Sequence, residues 1–191
     1  NKEYFHYGPY FEEMFKEEIQ DCDHPLINNL ITKMRKVYKE ALNTSTQIIE
    51  ALNTKYPTLQ EKIFPKSRLP LFVLRILKYH PQNQGSFLAK AHYDRGLYTL
   101  ALAESSPGLR LGTKDTDLKE VTHKPKKVFF MPGINLHNLT SEEFQPVWHD
   151  VIQKEKNTHS KQTARWAIVF FVNNYEMNEK VSKDQAHTPI Q

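Results

Sequence analysis

The sequence is organised around the stretch Ala91-His92-Tyr93-Asp94-Arg95-Gly96-Leu97-Tyr98-Thr99-Leu100. Its first half is mostly polar and its second half mostly apolar, a pattern that predicts a loop running into a β-strand. His92 and Asp94 are common metal ligands separated by one residue, and alternate side chains of an extended backbone project to the same face. The stretch therefore predicts that both side chains point into one cavity, while Tyr93 points away from it.

A third metal ligand would have to come from a distant strand, and His149 is the candidate. It lies in an apolar segment, and if the sheet closes into a barrel, Val147, His149 and Val151 share one face. Two histidines and one carboxylate that leave coordination positions open form the ligand set of non-heme Fe(II) oxygenases. The alternative is a chance pattern, because a His-x-Asp triplet is common and the chain contains nine histidines.

Strand-like segments follow one another through the second part of the chain, with turns at Pro107-Gly108 and Pro132-Gly133. They lie at 71–80, 97–103, 108–112, 118–122, 127–131, 147–153 and 165–172. Short strands at this spacing predict an antiparallel sandwich or barrel.

The first part of the chain predicts helices instead. Residues 24–53 repeat apolar side chains every three or four positions, the pattern of a helix with one buried face. Such a helix is about 45 Å long, with Asp23 as the predicted N-cap and Pro25 in the first turn. Residues 10–20 predict a short helix, and 57–70 a loop or a short helix. We therefore expect an α+β fold in which long N-terminal helices back a β-rich core.

Three regions follow from this pattern. Residues 1–70 are expected to form a helical support region, 71–173 the β-rich core, and 174–191 a polar, irregular tail, all within one compact domain. The chain begins at Asn1 rather than at a methionine, so we expect that a segment before it is missing.

Composition restricts the partners. The net charge of +4 comes from interspersed lysines and acids without a basic block, so nucleic acid is not indicated. No stretch is long and apolar enough to predict a membrane span, and no signal peptide opens the chain. Cys22 is the only cysteine and forms no intrachain disulfide, which favours a reducing, cytoplasmic compartment. The oligomeric state is not indicated by the sequence.

Several motifs in consistent order add a family resemblance. His92-Tyr93-Asp94-Arg95-Gly96-Leu97-Tyr98-Thr99-Leu100 and then Gly108-Leu109-Arg110-Leu111 are similar to a His-x-Asp motif followed by Leu-Thr-Leu and Gly-Leu-Gln-Val. Leu74-Arg75-Ile76-Leu77-Lys78-Tyr79-His80-Pro81 resembles a Leu-Arg-x-x-x-Tyr-Pro-Pro strand, and His149 followed by Arg165 before Ile168–Phe171 resembles a distal histidine and an arginine motif. Residues 71–173 thus resemble the isopenicillin N synthase-like family of Fe(II)- and 2-oxoglutarate-dependent dioxygenases.

The resemblance implies a double-stranded β-helix, or jelly roll, with iron between its two sheets. It implies that His92, Asp94 and His149 are the iron ligands, that Arg165 binds the distal carboxylate of 2-oxoglutarate, and that Tyr79 donates a hydrogen bond to the same group. The implied activity is the oxidation of a small organic substrate by dioxygen, as hydroxylation, desaturation or ring closure. Arginine suits the carboxylate role because its guanidinium is a rigid, charged fork; the alternative is that Arg165 is a solvated strand end.

The main departure from the family pattern is Ala167, which stands where the family has a serine that also holds the cosubstrate carboxylate. This departure leaves open a family member that does not use 2-oxoglutarate, or a metal-binding jelly roll without catalytic activity. A zinc hydrolase built on the same three ligands is a further alternative, although the sequence offers no obvious general base for it.

Overall fold

We describe a computed structural model of the chain, in which residues 2–64, 70–154 and 164–174 are described. The chain divides into two compact units, one formed by 1–6 with 74–171 and the other by 7–73 with 172–191. The boundaries drawn from the sequence at 70 and 173 stay a prediction. The predicted tail, apart from Asn174, lies outside the described residues.

Along the chain, most of the helices precede most of the strands. The strands are β1 Lys2–Tyr7, β2 Phe72–Tyr79, β3 Phe87–His92, β4 Tyr98–Glu104, β5 Leu109–Gly112, β6 Lys119–Glu120, β7 Phe129–Pro132, β8 Trp148–Ile152 and β9 Arg165–Val172. The helices are α1 Pro9–Met14, α2 Lys16–Gln20, α3 Pro25–Asn53, α4 Leu59–Ile63 and α5 Ile134–Leu139, with a short 3-10 helix at Asp115–Asp117.

The strands form two sheets. One has five strands in the order β1-β2-β9-β4-β7, and the other has four in the order β3-β8-β5-β6. The pairs β3–β8, β4–β7, β5–β6 and β5–β8 are all antiparallel. Neighbours in space are mostly distant in sequence, as in a jelly roll and unlike a meander. The two sheets confirm the predicted α+β class and the double-stranded β-helix.

The space between the two sheets is filled by a hydrophobic cluster to which both sheets contribute. The larger sheet provides Leu77, Tyr79, Ala101, Met131 and Ala167, and the smaller one provides Leu88, Leu109 and Val151. On β9 the side chains of alternate residues, Arg165, Ala167 and Val169, face this cluster, as the two-residue period of a strand requires. The interior is therefore apolar, apart from a few polar groups that enter it from the strand ends.

Helix α3 confirms the predicted periodicity, because its buried side chains recur every three or four residues. They are Ile31, Met34, Tyr38, Ala41, Ser45 and Ile49. Pro25 occupies the first turn as predicted, but the N-cap is His24, so the prediction of Asp23 was wrong. The predicted helix over 10–20 is divided in two, because the backbone of Phe15 leaves the helical conformation between α1 and α2. Among the described helices, none combines the length and the apolar character that a bilayer crossing would require.

Candidate metal centre

The two histidines of the candidate site lie opposite each other on paired strands. His92 is the last residue of β3, His149 is the second residue of β8, and the two are partners in the antiparallel register. Directly opposed residues on neighbouring strands hold their side chains close together. The imidazole centroids accordingly lie 4.4 Å apart. Strand pairing thus brings together two ligands that are far apart in the sequence.

Hydrogen bonds orient both rings and select one nitrogen for a ligand. The Nδ1 atom of His92 lies 2.7 Å from the carbonyl oxygen of Lys90, and Nδ1 of His149 lies 3.1 Å from that of Val147. A carbonyl oxygen only accepts, so each Nδ1 carries the proton and each Nε2 keeps a free lone pair. Metal-binding histidines typically have this arrangement, with the second nitrogen donating to a backbone or carboxylate oxygen.

Asp94 reaches the histidines from a loop rather than from a strand. Strand β3 ends at His92, so Asp94 lies two residues beyond the end of the strand. The loop is held by the start of α5, where the N–H groups of Ile134 and Asn135 donate to the carbonyl oxygens of Asp94 and Gly96 at 2.9 and 3.1 Å. Backbone hydrogen bonds to the start of α5 therefore hold the loop from which the carboxylate reaches the histidines.

Gly133 makes this close approach between loop and helix possible. Its N–H donates to the carbonyl oxygen of Leu97 at 2.8 Å. A Cβ atom at position 133 would lie 2.2 Å from the carbonyl oxygen of Gly96 and 2.9 Å from that of Asp94. Backbone atoms cannot yield at such distances without a shift of the loop, so only glycine fits here. The Pro132-Gly133 pair, recognised in the sequence only as a turn, therefore supports the position of Asp94.

The three side chains converge within a small volume. One ligand atom from each of His92, Asp94 and His149 can be chosen so that all lie within 4.8 Å of one another. The Oδ1 atom of Asp94 is 3.7 Å from Nε2 of His92, and its Oδ2 atom is 3.9 Å from Nε2 of His149. These separations exceed a hydrogen bond and leave room for a cation that binds all three groups. The geometry therefore brings together the three residues that the sequence predicted as ligands.

The environment of the three ligands differs. The side chain of His92 is 50% exposed, whereas those of Asp94 and His149 are 15% and 9% exposed. Burial lowers the pKa of His149, although the charge of Asp94 opposes the shift; the imidazole is thereby kept in the neutral form that binds metals. Asp94 accepts a hydrogen bond from the hydroxyl of Thr99 at 2.5 Å. The site is thus buried on the side of β8 and open on the side of His92.

Tyr93 points away from these ligands, as predicted. Its hydroxyl donates to the carbonyl oxygen of Thr113 at 2.7 Å, and its ring packs against that of Trp148 with centroids 4.5 Å apart. The residue between the two ligands therefore anchors the loop to its neighbours.

Arg165 and Tyr79 lie together between the sheets. Arg165 is only 5% exposed, so the alternative of a solvated strand end is wrong. Its guanidinium carbon lies 5.4 Å from the centroid of the Tyr79 ring. Burial raises the pKa of Tyr79, the positive charges of Arg165 and Arg75 lower it, and the negative charge of Asp94 also raises it. The Tyr79 hydroxyl thus remains a proton donor and lies within electrostatic reach of both Arg165 and the carboxylate of Asp94.

The guanidinium of Arg165 is only partly used by the chain itself. Its Nε donates to the carbonyl oxygen of Ser106 at 3.0 Å, and its Nη2 forms an ion pair with Glu104. The Nη1 atom is buried and has no hydrogen-bond partner among the described residues. A buried donor without a partner is costly, and it indicates a place where a ligand oxygen can bind.

Thr99 and Glu104 are site residues that the sequence reasoning missed. Each lies on β4, Thr99 beside Asp94 and Glu104 beside Arg165. A carboxylate at the end of an otherwise apolar strand was the available signal for Glu104, because a buried acid requires a cationic partner. Nothing in the sequence around Thr99 distinguishes its hydroxyl from that of a threonine that only packs within a strand.

A known protein family matches the region of the chain that contains these residues. The model of the 2OG-Fe(II) oxygenase superfamily matches residues 69–174, which is more than half of the chain. The chain belongs to this superfamily. The resemblance inferred from the motifs is confirmed at this level, and the matched region includes the metal centre, Tyr79 and Arg165. No curated protein sequence shows a significant match to the chain.

Solved structures share the fold at low sequence identity. The dioxygenase for auxin oxidation 1 from Arabidopsis thaliana, solved as its binary complex with 2-oxoglutarate, has a TM-score of 0.70 and 19% identity over 91% of this chain and 63% of its own. A full-length protein from Neurospora crassa, solved in complex with alpha-KG, has a TM-score of 0.71 and 17% identity over 91% of this chain and 54% of its own. The chain therefore spans less than two thirds of the length of these proteins.

Proposed function

We propose that this protein is an Fe(II)- and 2-oxoglutarate-dependent dioxygenase that oxidises a small organic substrate. The observation that carries the proposal is the convergence of His92, Asp94 and His149, with both Nε2 lone pairs free and directed at one carboxylate. Two imidazoles and one carboxylate that occupy one side of a cation favour Fe(II) and leave positions for a cosubstrate and dioxygen. Membership in the superfamily supports the same assignment.

Arg165 and Tyr79 are the residues that we expect to hold 2-oxoglutarate. The unpartnered Nη1 of Arg165 offers a charged donor in an apolar interior, and the protonated hydroxyl of Tyr79 can supply a second hydrogen bond. Charge-assisted hydrogen bonds to a carboxylate contribute about 1.5–3 kcal/mol each. The pocket therefore fits the distal carboxylate of a diacid, even though Ala167 lacks the hydroxyl found in the family pattern.

Iron and 2-oxoglutarate together would supply an oxidation in which one atom of dioxygen enters succinate, carbon dioxide is released and the substrate is hydroxylated, desaturated or cyclised. The protein itself would hold the reacting groups in position and surround them with apolar side chains. The start of α5 fixes Asp94, the strand register fixes the two histidines, and the apolar cluster between the sheets limits water near the reaction. The more exposed edge of His92 leaves an approach for substrate from outside the sheets.

A second candidate function keeps the metal centre and omits 2-oxoglutarate. Two observations favour it: Ala167 replaces the serine of the family pattern, and Glu104 already neutralises part of the charge of Arg165. Such a protein would be a member of the superfamily that does not use 2-oxoglutarate, or a metal-binding module without oxygenase activity. A zinc hydrolase has no comparable support, because it also needs a general base, and the candidate metal group among the described residues consists of the three ligands His92, Asp94 and His149.

Anaerobic titration distinguishes these functions. Fe(II) followed by 2-oxoglutarate should produce a visible metal-to-ligand charge-transfer band in the wild-type protein, and release of succinate in air should follow. Asp94→Ala should lose the band together with metal binding measured by calorimetry, while circular dichroism reports whether the fold persists. Metal binding without a band would contradict the use of 2-oxoglutarate, and unchanged metal affinity in Asp94→Ala would contradict the ligand assignment.

The compartment and the partners form part of the proposal. The single cysteine, Cys22, has no disulfide and is consistent with a reducing, cytoplasmic environment. Dioxygen and a small-molecule substrate are the partners that the proposed reaction requires.

A further inference from the structure

We propose that Arg75 binds a carboxylate of the substrate, so that this protein acts on anionic substrates. The proposal rests on the proposed function, because it takes the site formed by His92, Asp94 and His149 as the place of reaction. Its evidence is separate, however: the position, the neighbours and the charge of Arg75.

Arg75 lies on the face of β2 that looks into the space between the sheets. Leu77 and Tyr79, two and four residues further along the strand, belong to the hydrophobic cluster in that space. Because side chains alternate along a strand, Arg75 shares their face. Four residues of strand correspond to about 13 Å, so Arg75 stands at one end of this face and Tyr79, beneath Arg165, at the other.

Aromatic rings hold the guanidinium of Arg75 in place. Its central carbon lies 5.1 Å from the ring centroid of Tyr4 and 4.6 Å from that of Phe171. Its Nε donates to Nε2 of His6 at 2.5 Å, and the rings of His6 and Tyr4 are stacked. Cation–π contacts and one hydrogen bond thus fix the side chain through its faces and its Nε edge. The edge that carries the two terminal nitrogens can form two parallel hydrogen bonds with a carboxylate.

Among the described residues, no anionic group forms an ion pair with Arg75. Arg35, Arg110 and Arg165 each form an ion pair with a carboxylate. In the part of the chain that the structure describes, no acid forms an ion pair with Arg75, and no group is hydrogen-bonded to its terminal nitrogens. A half-buried cation without an anion is unfavourable, which is the condition that a bound carboxylate would relieve.

The metal centre lies within electrostatic reach of Arg75. Burial lowers the pKa of Arg75, and the charges of Tyr4, Asp94 and Tyr79 raise it. The carboxylate of Asp94 is therefore close enough to act on this guanidinium, yet it forms no ion pair with it. A metal ion on Asp94 would use that negative charge and leave Arg75 facing a more positive site. An anionic group on the substrate would balance this charge while the rest of the molecule reaches toward the metal.

Arg165 and Arg75 would therefore bind different ligands at opposite ends of the sheet face that looks into the space between the sheets. Arg165 is buried beside Tyr79 and suits a ligand enclosed in the interior. Arg75 is half-buried, and one of its two aromatic neighbours, Tyr4, is 60% exposed. The Arg75 end is therefore open to molecules that exchange with solvent, as a substrate must.

Fluorine NMR with a matched acid and amide tests the proposal. The probes are 4-fluorophenylacetate and 4-fluorophenylacetamide, which differ in charge but hardly in shape, and the protein is loaded with Zn(II) and saturating 2-oxoglutarate. We expect the acid to bind about tenfold or more tightly than the amide, the effect of one charge-assisted pairing. Arg75→Gln should bring the two dissociation constants together. Lys78→Gln, at a cation on the other face of β2 that pairs with Glu3, should leave their ratio unchanged.

Each result decides the question. Equal binding of acid and amide to the wild-type protein, no binding of the acid, or an acid preference that survives in Arg75→Gln would overturn the proposal. Acid binding that 2-oxoglutarate displaces competitively would assign the anion to Arg165 and overturn it as well. If 2-oxoglutarate itself fails to bind, the proposed cosubstrate is wrong, and the same comparison in Arg165→Gln with Zn(II) alone still decides on Arg75.

Discussion

Two arginine–carboxylate pairs on the core strands show the difference between a pair that stabilises the fold and a pair that can also bind a ligand. Arg110 and Asp150 face each other on β5 and β8, and both oxygens of the carboxylate accept a hydrogen bond, at 2.8 and 2.5 Å. Arg165 and Glu104 are joined through one nitrogen only. The first pair is bidentate, through Nε and Nη2 of Arg110, whereas the second leaves Nη1 of Arg165 buried without a hydrogen-bond partner among the described residues.

The two pairs also differ in how many of their buried polar atoms lack a hydrogen-bond partner. Nη1 of Arg165 and Oε1 of Glu104 are buried without a hydrogen-bond partner among the described residues. His123 Nδ1 lies 3.3 Å from that oxygen, but no hydrogen bond joins them. In the other pair, the hydrogen bonds that Arg110 donates to Asp150 raise the pKa of Arg110, and no atom of either side chain is left in this state in the described structure. Unsatisfied donors and acceptors in the interior therefore mark the pair where a ligand is expected.

The largest effect is expected for Arg165→Met. Loss of the charge-assisted hydrogen bond that Nη1 would donate to 2-oxoglutarate should cost up to about 3 kcal/mol, which is a loss of roughly a hundredfold in affinity. Metal binding should remain, because Arg165 is not a ligand. Anaerobic titration of the charge-transfer band measures 2-oxoglutarate binding, and calorimetry measures metal binding. A variant that still binds 2-oxoglutarate with nearly wild-type affinity would remove the contrast between the two pairs.

Arg110→Met is the matched control and should affect stability instead. Asp150 is fully buried, so removal of its partner leaves an unpaired carboxylate and should lower the free energy of unfolding by about 2–4 kcal/mol. The double variant Arg110→Met with Asp150→Leu should recover most of this loss, because it removes both charges. Urea denaturation gives the stabilities. The affinity of the folded fraction for 2-oxoglutarate should stay within about twofold of wild type; a parallel fall in affinity would mean that both pairs serve the pocket.

Glu104→Gln should have a smaller effect of the opposite sign. The amide keeps a hydrogen-bond acceptor for Nη2 of Arg165 and removes the negative charge that competes with the cosubstrate. We expect 2-oxoglutarate to bind about fivefold more tightly, which corresponds to about 1 kcal/mol. The charge-transfer titration measures the change. Weaker binding in Glu104→Gln would show that the charge of Glu104 positions Arg165, and that its competition with the ligand is the minor effect.

Sequence reasoning could find the elements with a strong repeat and the ligands with distinctive chemistry. Residues 24–53 carry enough turns of helical periodicity to define α3 within one residue, and the apolar run at 165–172 coincides with β9. The three metal ligands were recognisable because two imidazoles and a carboxylate in the right order are chemically unusual. These signals are local, or they depend on residue type alone.

What the sequence could not show depends on short elements and on tertiary pairing. Strand β3 was missed because Phe87–His92 includes Lys90 and His92 and lacks a clear alternation, and α5 was missed because six residues give no period. The contact of Arg165 with Glu104 joins residues 61 positions apart. Its existence follows from the neighbouring positions of β4 and β9 in one sheet, which no local pattern predicts.

Ala167 connects the sequence argument with the unused nitrogen of Arg165 and gives the smallest predicted effect. It lies two residues after Arg165 on the same face of β9 and belongs to the cluster between the sheets. Ala167→Ser would place a hydroxyl beside the pocket where the family pattern has one. One additional hydrogen bond from this hydroxyl to the carboxylate, largely offset by the cost of burying the hydroxyl, should tighten 2-oxoglutarate binding about threefold, or about 0.7 kcal/mol, in the same charge-transfer titration.

The same substitution in the Arg165→Met background sharpens the comparison. A hydroxyl that binds the cosubstrate carboxylate depends on the guanidinium to hold that carboxylate in place, so the gain should disappear when the guanidinium is gone. Ala167→Val is the steric control, since it adds atoms without a donor and should weaken binding by crowding the interior. If Ala167→Ser leaves a polar group unsatisfied instead, the affinity for 2-oxoglutarate stays flat while the free energy of unfolding falls. That result would place the diacid away from Ala167 and restrict the ligand-binding role to Arg165 and Tyr79.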